Sequence, residues 1–123
     1  MNLRSSGYEV RRISSDTEAL FCAKVYETPY GLIVAICDIE LVGKKLYYGK
    51  NEILVSKDFY CDREIDTFET MSLMRKATSL NLIGNRIVEL AISMGLVHKD
   101  AILYLRDEKS EKVAHALVHL FRF

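Results

Sequence analysis

Residues 66–94 carry two consecutive apolar stripes at helical spacing, and the place where they meet constrains the fold more than any other stretch. The first stripe is Phe68, Met71, Met74 and Ala77; the second is Leu80, Ile83, Ile87, Leu90, Ala91 and Met94. Each reads as the buried face of an amphipathic helix. Joined, they would make a helix more than twice the usual length of about 11–12 residues. Asn81 and Gly84 fall within one turn of each other, where a plain helix would prefer Leu and Ala. The spacing therefore predicts two helices, near 67–79 and 84–94, with a seam at 79–85. Asp66, with Glu69 three residues on, is the expected N-cap of the first helix, and Gly95 the residue that ends the second. At the seam, Gly84 would let another backbone approach closely and Asn81 would cap the second helix. The functional alternative is an anion held by the free amides of the second helix, with Arg86 nearby.

The segments on both sides have strand character. "LFCAKVYE" alternates Phe21, Ala23 and Val25 against Cys22, Lys24 and Tyr26, the period of a half-buried strand. "TPYG" is a turn, and "LIVAICD" is a nearly continuous apolar run expected at the centre of a sheet. Strands are predicted at 21–26, 32–37, 52–57 and 101–106. Residues 112–121 fit strand and helix alike, and the short connection before them favours a hairpin partner. Strands, then helices, then strands again predict an α+β fold, a two-layer sandwich with two helices on one face of a mostly antiparallel sheet. Residues 1–19, polar and of mixed charge, read as an N-terminal extension, and 20–123 as a single domain.

Composition narrows the function classes. With 123 residues, half of them apolar, the chain supports one domain with a hydrophobic core. Its longest apolar run, "LIVAIC", falls far short of the ~20 residues that span a bilayer, and "MNLRSSGYEVRR" lacks a secretory apolar segment. The expected compartment is the cytoplasm, with no membrane partner. Three cysteines, Cys22, Cys37 and Cys61, without a C-x-x-C spacing, are expected to be reduced thiols rather than a disulfide or metal framework. The 17 basic and 17 acidic residues cancel, so any RNA contact requires a local patch, and no DNA partner is expected.

Several blocks of sequence are distinctive together. "LIVAICDIELVGKKL" joins a strand ending in Cys-Asp to an acidic residue, Leu and Gly-Lys. "DFYCDRE" contains Phe-Tyr-x-x-x-Glu. "ATSLNLIGNRIVELAISMGLV" contains Asn-x-x-Gly and then Ala-Ile-x-x-Gly-Leu-Val. Over about residues 20–120 the chain resembles the archaeal domain-of-unknown-function 424 family. A further block, "KVAHALV", is similar to that family's Pro-His-Ala-Gln ending, but Ala114 replaces Pro and Leu117 replaces Gln. The resemblance implies a small α+β fold in an archaeal cytoplasmic protein and a setting in information processing, translation above all. It implies no activity.

Candidate chemistry divides three ways. The segment "GKKLYYGK" offers Lys44, Lys45 and Lys50 for phosphates and Tyr47 and Tyr48 for stacking on bases, with only one tyrosine free if the segment is a strand. Arg86 and the arm residues Arg4, Arg11 and Arg12 would add to that surface. Its structural reading is a solvated sheet edge whose lysines discourage aggregation. The second constellation is an enzyme site of Cys37, Asp38 and His115, in which an activated thiol would act as nucleophile; its structural reading is a core cysteine. Thirdly, His115 and His119 would share a metal on a helix, but on a strand they lie roughly 13 Å apart, so no metal is expected. "VGKK" lacks the first glycine of a P-loop, and no cofactor is expected. The leading expectation is a non-enzymatic accessory protein of the archaeal translation apparatus, binding ribosomal RNA or ribosomal proteins. The alternatives are a small enzyme and a protein-only adaptor.

Overall fold

Residues 21–38 form the expected hairpin. In the computed structural model, which describes residues 18–120, β1 (Phe21–Thr28) pairs antiparallel with β2 (Gly31–Asp38) around the "TPYG" turn. Next come β3 (Lys45–Tyr48), β4 (Asn51–Leu54), a one-turn helix α1 (Lys57–Tyr60) and β5 (Arg63–Ile65). Then follow α2 (Thr67–Lys76), β6 (Ser79–Ile83), α3 (Asn85–Ser93), β7 (Leu103–Arg106) and β8 (Lys112–His119). The ambiguous C-terminal segment is thus the strand of a β7–β8 hairpin. The eight strands make one sheet in the order β4-β3-β7-β8-β6-β2-β1-β5. All pairings are antiparallel except β2 with β6.

The seam holds a strand, which corrects the sequence reading. Residues 79–83 do not simply join two helices; they form β6, between parallel β2 and antiparallel β8. Leu80 and Leu82 face one side and Asn81 and Ile83 the other, so Leu80 and Ile83 do not share a helical stripe. Tertiary pairing overrides local periodicity here, because β6 satisfies its backbone groups through neighbours distant in sequence. The first helix starts and the second stops where expected, but α2 ends at Lys76 rather than near 79. Asp66 Oδ1 accepts from Glu69 N at 2.8 Å, and Gly95 takes φ +75°. The buried face of α2 differs from prediction: Met74 and Thr70 are buried while Phe68 is 63% exposed.

Strand alternation divides the core between the two faces of the sheet. On one, Phe21, Ala23, Val34, Ile36, Leu80, Leu82, Ala114 and Ala116 pack with Met74 of α2 and Ile87, Val88 and Ala91 of α3. Each fully buried Ile or Leu contributes about 1.5–3 kcal/mol. On the other face Cys22, Ala35, Cys37, Leu46, Ile83, Leu105 and Val113 cluster with Val55 and Tyr60. The helices lie mainly against β1, β2, β6 and β8, and β4, β3 and β7 form the edge of the sheet beyond β8.

The cysteine expectation is also corrected. Cys22 and Cys61 form a disulfide, with Cα atoms 4.8 Å apart, and only Cys37 is a free thiol. The partners are 39 residues apart in sequence, and what brings them together is the β1–β5 pairing, where Asp62 N donates to Ala23 O. No helix among the described residues is long and apolar enough to cross a membrane.

Candidate functional site

The end of β2 and the start of α3 form one polar junction. Asp38 is 3% exposed and accepts from Arg86 N at 3.0 Å and Ile87 N at 2.9 Å, the second and third amides of α3. The anion at this helix start is therefore the chain's own carboxylate, held across the sheet from a strand 46 residues earlier in the chain than Gly84. Gly84 makes the approach possible: a Cβ there would lie 2.6 and 2.7 Å from the two carboxylate oxygens of Asp38. Its φ of +128° also disfavours any L side chain. Burial raises the Asp38 carboxyl above its usual range, against the pull of the two amides and of Arg86. The close approach expected at Gly84 is thus by a side chain, and the cap expected from Asn81 comes from Asp38. Asn85, next along, braces β8: its Nδ2 donates to Lys112 O at 2.9 Å and its Oδ1 accepts from Ala114 N at 2.8 Å.

Arg86 is engaged within the fold. Its guanidinium donates to both oxygens of Glu40, at 2.6 and 2.7 Å, and to Leu20 O at 3.0 Å. That hydrogen bonding holds the Glu40 carboxyl below its usual range and raises the guanidinium. Beside this pair lies an open cleft of about 510 Å³, whose walls include Asp38, Glu40, Lys44, Lys109 and Lys112.

The structure does not assemble Cys37, Asp38 and His115 into a nucleophile site. Cys37 is fully buried, and burial, followed by the charges of Asp38 and Glu40, pushes its thiol up to about 12. Adjacent strand residues face opposite sides, so Asp38 leaves the Cys37 face for α3. Cys37 pairs with Ile83, and Ile83 with His115, which sets thiol and imidazole two strands apart, roughly 9–10 Å between backbones. His115 Nε2 instead lies 3.2 Å from Asn81 Oδ1, which also accepts from the Tyr60 hydroxyl at 2.7 Å. An amide oxygen only accepts, so Nε2 carries the proton. Burial lowers the His115 imidazole and, with a contribution from Cys37, pushes the Tyr60 phenol up to about 12. This is the side-chain role of Asn81: it joins β6 to α1 and β8. His119, four residues from His115 on the same strand, lies 3.1 Å from Ser79 Oγ. No group of three metal-ligating side chains occurs among the described residues.

The 43–50 segment is strand β3 with its flanking turns. Lys44, Lys45 and Lys50 are exposed. Lys45 pairs with Glu52 at 3.4 Å. Tyr47 and Tyr48 face opposite sides, as expected; Tyr48 is 50% exposed and Tyr47 half-buried. Pair registers extend the Tyr47 surface beyond the segment. Tyr47 lies opposite Arg106, Arg106 opposite Lys112, and Tyr104 opposite Ala114. Lys45, Tyr47, Tyr104, Arg106 and Lys112 therefore share the helix side of the sheet, on β3, β7 and β8. Tyr104 is 47% exposed, with Lys112 Nζ 5.4 Å from its ring centre. Arg11 and Arg12, like Arg4, lie outside the described residues.

Residues 26–116 match the model of the family described as protein of unknown function, DUF424. The chain belongs to this DUF424 family. No curated protein matches it. A crystal structure of an uncharacterized conserved protein from Methanopyrus kandleri shares the fold, with TM-score 0.59 over 84% of this chain and 95% of the other at 16% identity. In this DUF424 member, the residues of the distinctive blocks meet in space. Asp38 reaches Gly84 and the start of α3, while Tyr60, Asn81 and His115 join on the opposite face. Three residues of the open face, Tyr104, Arg106 and Lys112, escaped the sequence reading. For Tyr104 and Arg106 the signal was the alternation in "LYLR", where they point away from buried Leu105.

Proposed function

We propose that this protein is a non-enzymatic accessory protein of the archaeal translation apparatus that binds ribosomal RNA or ribonucleoprotein. The observation that supports the reading is the shared face of β3, β7 and β8, where Lys45, Arg106 and Lys112 accompany Tyr47 and Tyr104. Lys45, Arg106 and Lys112 are the cations of that face; Glu52 of β4 pairs with Lys45, and Asp107 and Glu108 line the cleft beside Tyr47 and Arg106. Lys44 and Lys50 lengthen the face at the ends of β3. Arg86 is not counted among the contacts, because Glu40 holds it.

The test is a salt titration of binding to purified ribosomes or ribosomal RNA fragments. Each lysine that neutralises a phosphate releases a counterion, so Lys44→Ala with Lys45→Ala should flatten the log–log salt slope by about 0.7–0.9 per lost contact. Unchanged affinity and slope in well-folded variants would make the segment only a charged sheet edge.

A further inference from the structure

We infer that the β3–β7–β8 face takes an unpaired RNA strand, with Tyr47 and Tyr104 each stacking on one base. This rests on the RNA-binding reading above and deepens it from RNA in general to a single-stranded segment. The spacing of the two rings is the first support. Tyr47 lies directly opposite Arg106, and Tyr104 is two residues from Arg106 on the same strand. The tyrosines are therefore diagonal neighbours, about 7–8 Å apart at the backbone and within reach of one another's rings. Bases in an RNA duplex are stacked on one another and present no free face to a side chain. Rings set this far apart suit bases that have been splayed out of a stack.

Charge placement is the second support. Lys112 is opposite Arg106 and so flanks the tyrosine pair on one side, while Lys45 precedes Tyr47 by two residues on the same face. Cations thus border both rings, where the phosphates of a strand crossing β3, β7 and β8 would run. Gly49, in the turn that follows β3, stands in the open: an added Cβ there would meet nothing within 4 Å. Tyr104 is 47% exposed, so its ring can be reached by a base, and Lys112 Nζ stands 5.4 Å from its centre. Of the acids at the β7–β8 turn, Asp107 is committed to the turn, its Oδ1 accepting from Lys109 N and Glu111 N, while Glu108 lines the cleft with Tyr47 and Arg106. Arg106 also donates to Ser110 O at 3.0 Å, which positions its guanidinium at the turn end of the platform.

A labelled single-stranded RNA dodecamer and the same sequence in a duplex provide the test, with binding read by anisotropy. The single strand should bind tighter. Tyr47→Ala and Tyr104→Ala should each weaken it about five- to 150-fold with little change in salt slope, whereas Tyr104→Phe should bind like the parent. The chain has no tryptophan, so Tyr104→Trp supplies a single indole, excited selectively over the tyrosines, that a stacked base should quench. This readout does not depend on how well the alanine variants fold. Duplex binding as tight as single-strand binding would overturn the inference. So would an unquenched indole in the Tyr104→Trp complex when Lys45→Ala still loses affinity; the RNA-binding reading would then survive on phosphate contacts alone. Failure to bind either RNA would overturn both.

Discussion

Replacing Gly84 with Ala tests the central junction, because two independent costs are visible there. The first is conformational: φ +128° and ψ 146° lie in a region that L residues rarely occupy, and such strain costs about 1–3 kcal/mol. The second is steric, since the new Cβ would meet the Asp38 carboxylate, whose oxygens cap α3 through Arg86 N and Ile87 N. Displacing that cap costs about 0.5–2 kcal/mol. Together they predict a loss of about 1.5–5 kcal/mol, or a Tm lower by roughly 6–20 °C for a domain of this size. A double-mutant cycle separates the parts. In an Asp38→Ala background the carboxylate is absent, so Gly84→Ala should cost only the conformational part, leaving a coupling of about 0.5–2 kcal/mol. Urea denaturation of the parent, both single variants and the double variant measures it. Simple additivity would refute the reading that Gly84 is glycine to make room for Asp38.

Two further outcomes are expected. Cys37, buried and with its thiol pushed up to about 12, should react with a small thiol reagent only after denaturation; rapid labelling of the native protein that His115→Ala abolishes would restore the enzyme reading. Burial keeps the folded-state pKa of His115 below 6.5. The unfolded chain therefore takes up this proton first as pH falls through that value, so stability contributed by neutral His115 is present above it and lost below. Urea midpoints measured from about pH 7.5 to about pH 5.5 should fall, and His115→Asn should flatten that slope; an equal slope in the variant would remove His115 as its cause.

Much of the architecture is local and therefore legible along the chain. The period-2 alternation of 21–26, the apolar run of 32–37, the cap at Asp66 and the stop at Gly95 each act within a few residues, and each lies where the structure forms the corresponding feature, the two strands running one or two residues longer. Opposite facing of Tyr47 and Tyr48 is equally local, since it follows from the strand period. The features that differ all depend on partners far away in sequence. Leu80 and Ile83 fit a helical stripe as well as a strand, and pairing with β2 and β8 is what makes 79–83 a strand. Cys22 meets Cys61 only because β5 joins the sheet beside β1. A strand carboxylate caps a helix that begins 47 residues later because parallel pairing places the end of β2 beside the end of β6. Tyr104 joins Tyr47 through a register that no spacing in the sequence encodes. Backbone preference and side-chain period act over a few residues, whereas strand order, register and the meeting of polar side chains are settled by burial and hydrogen bonding across the whole sheet.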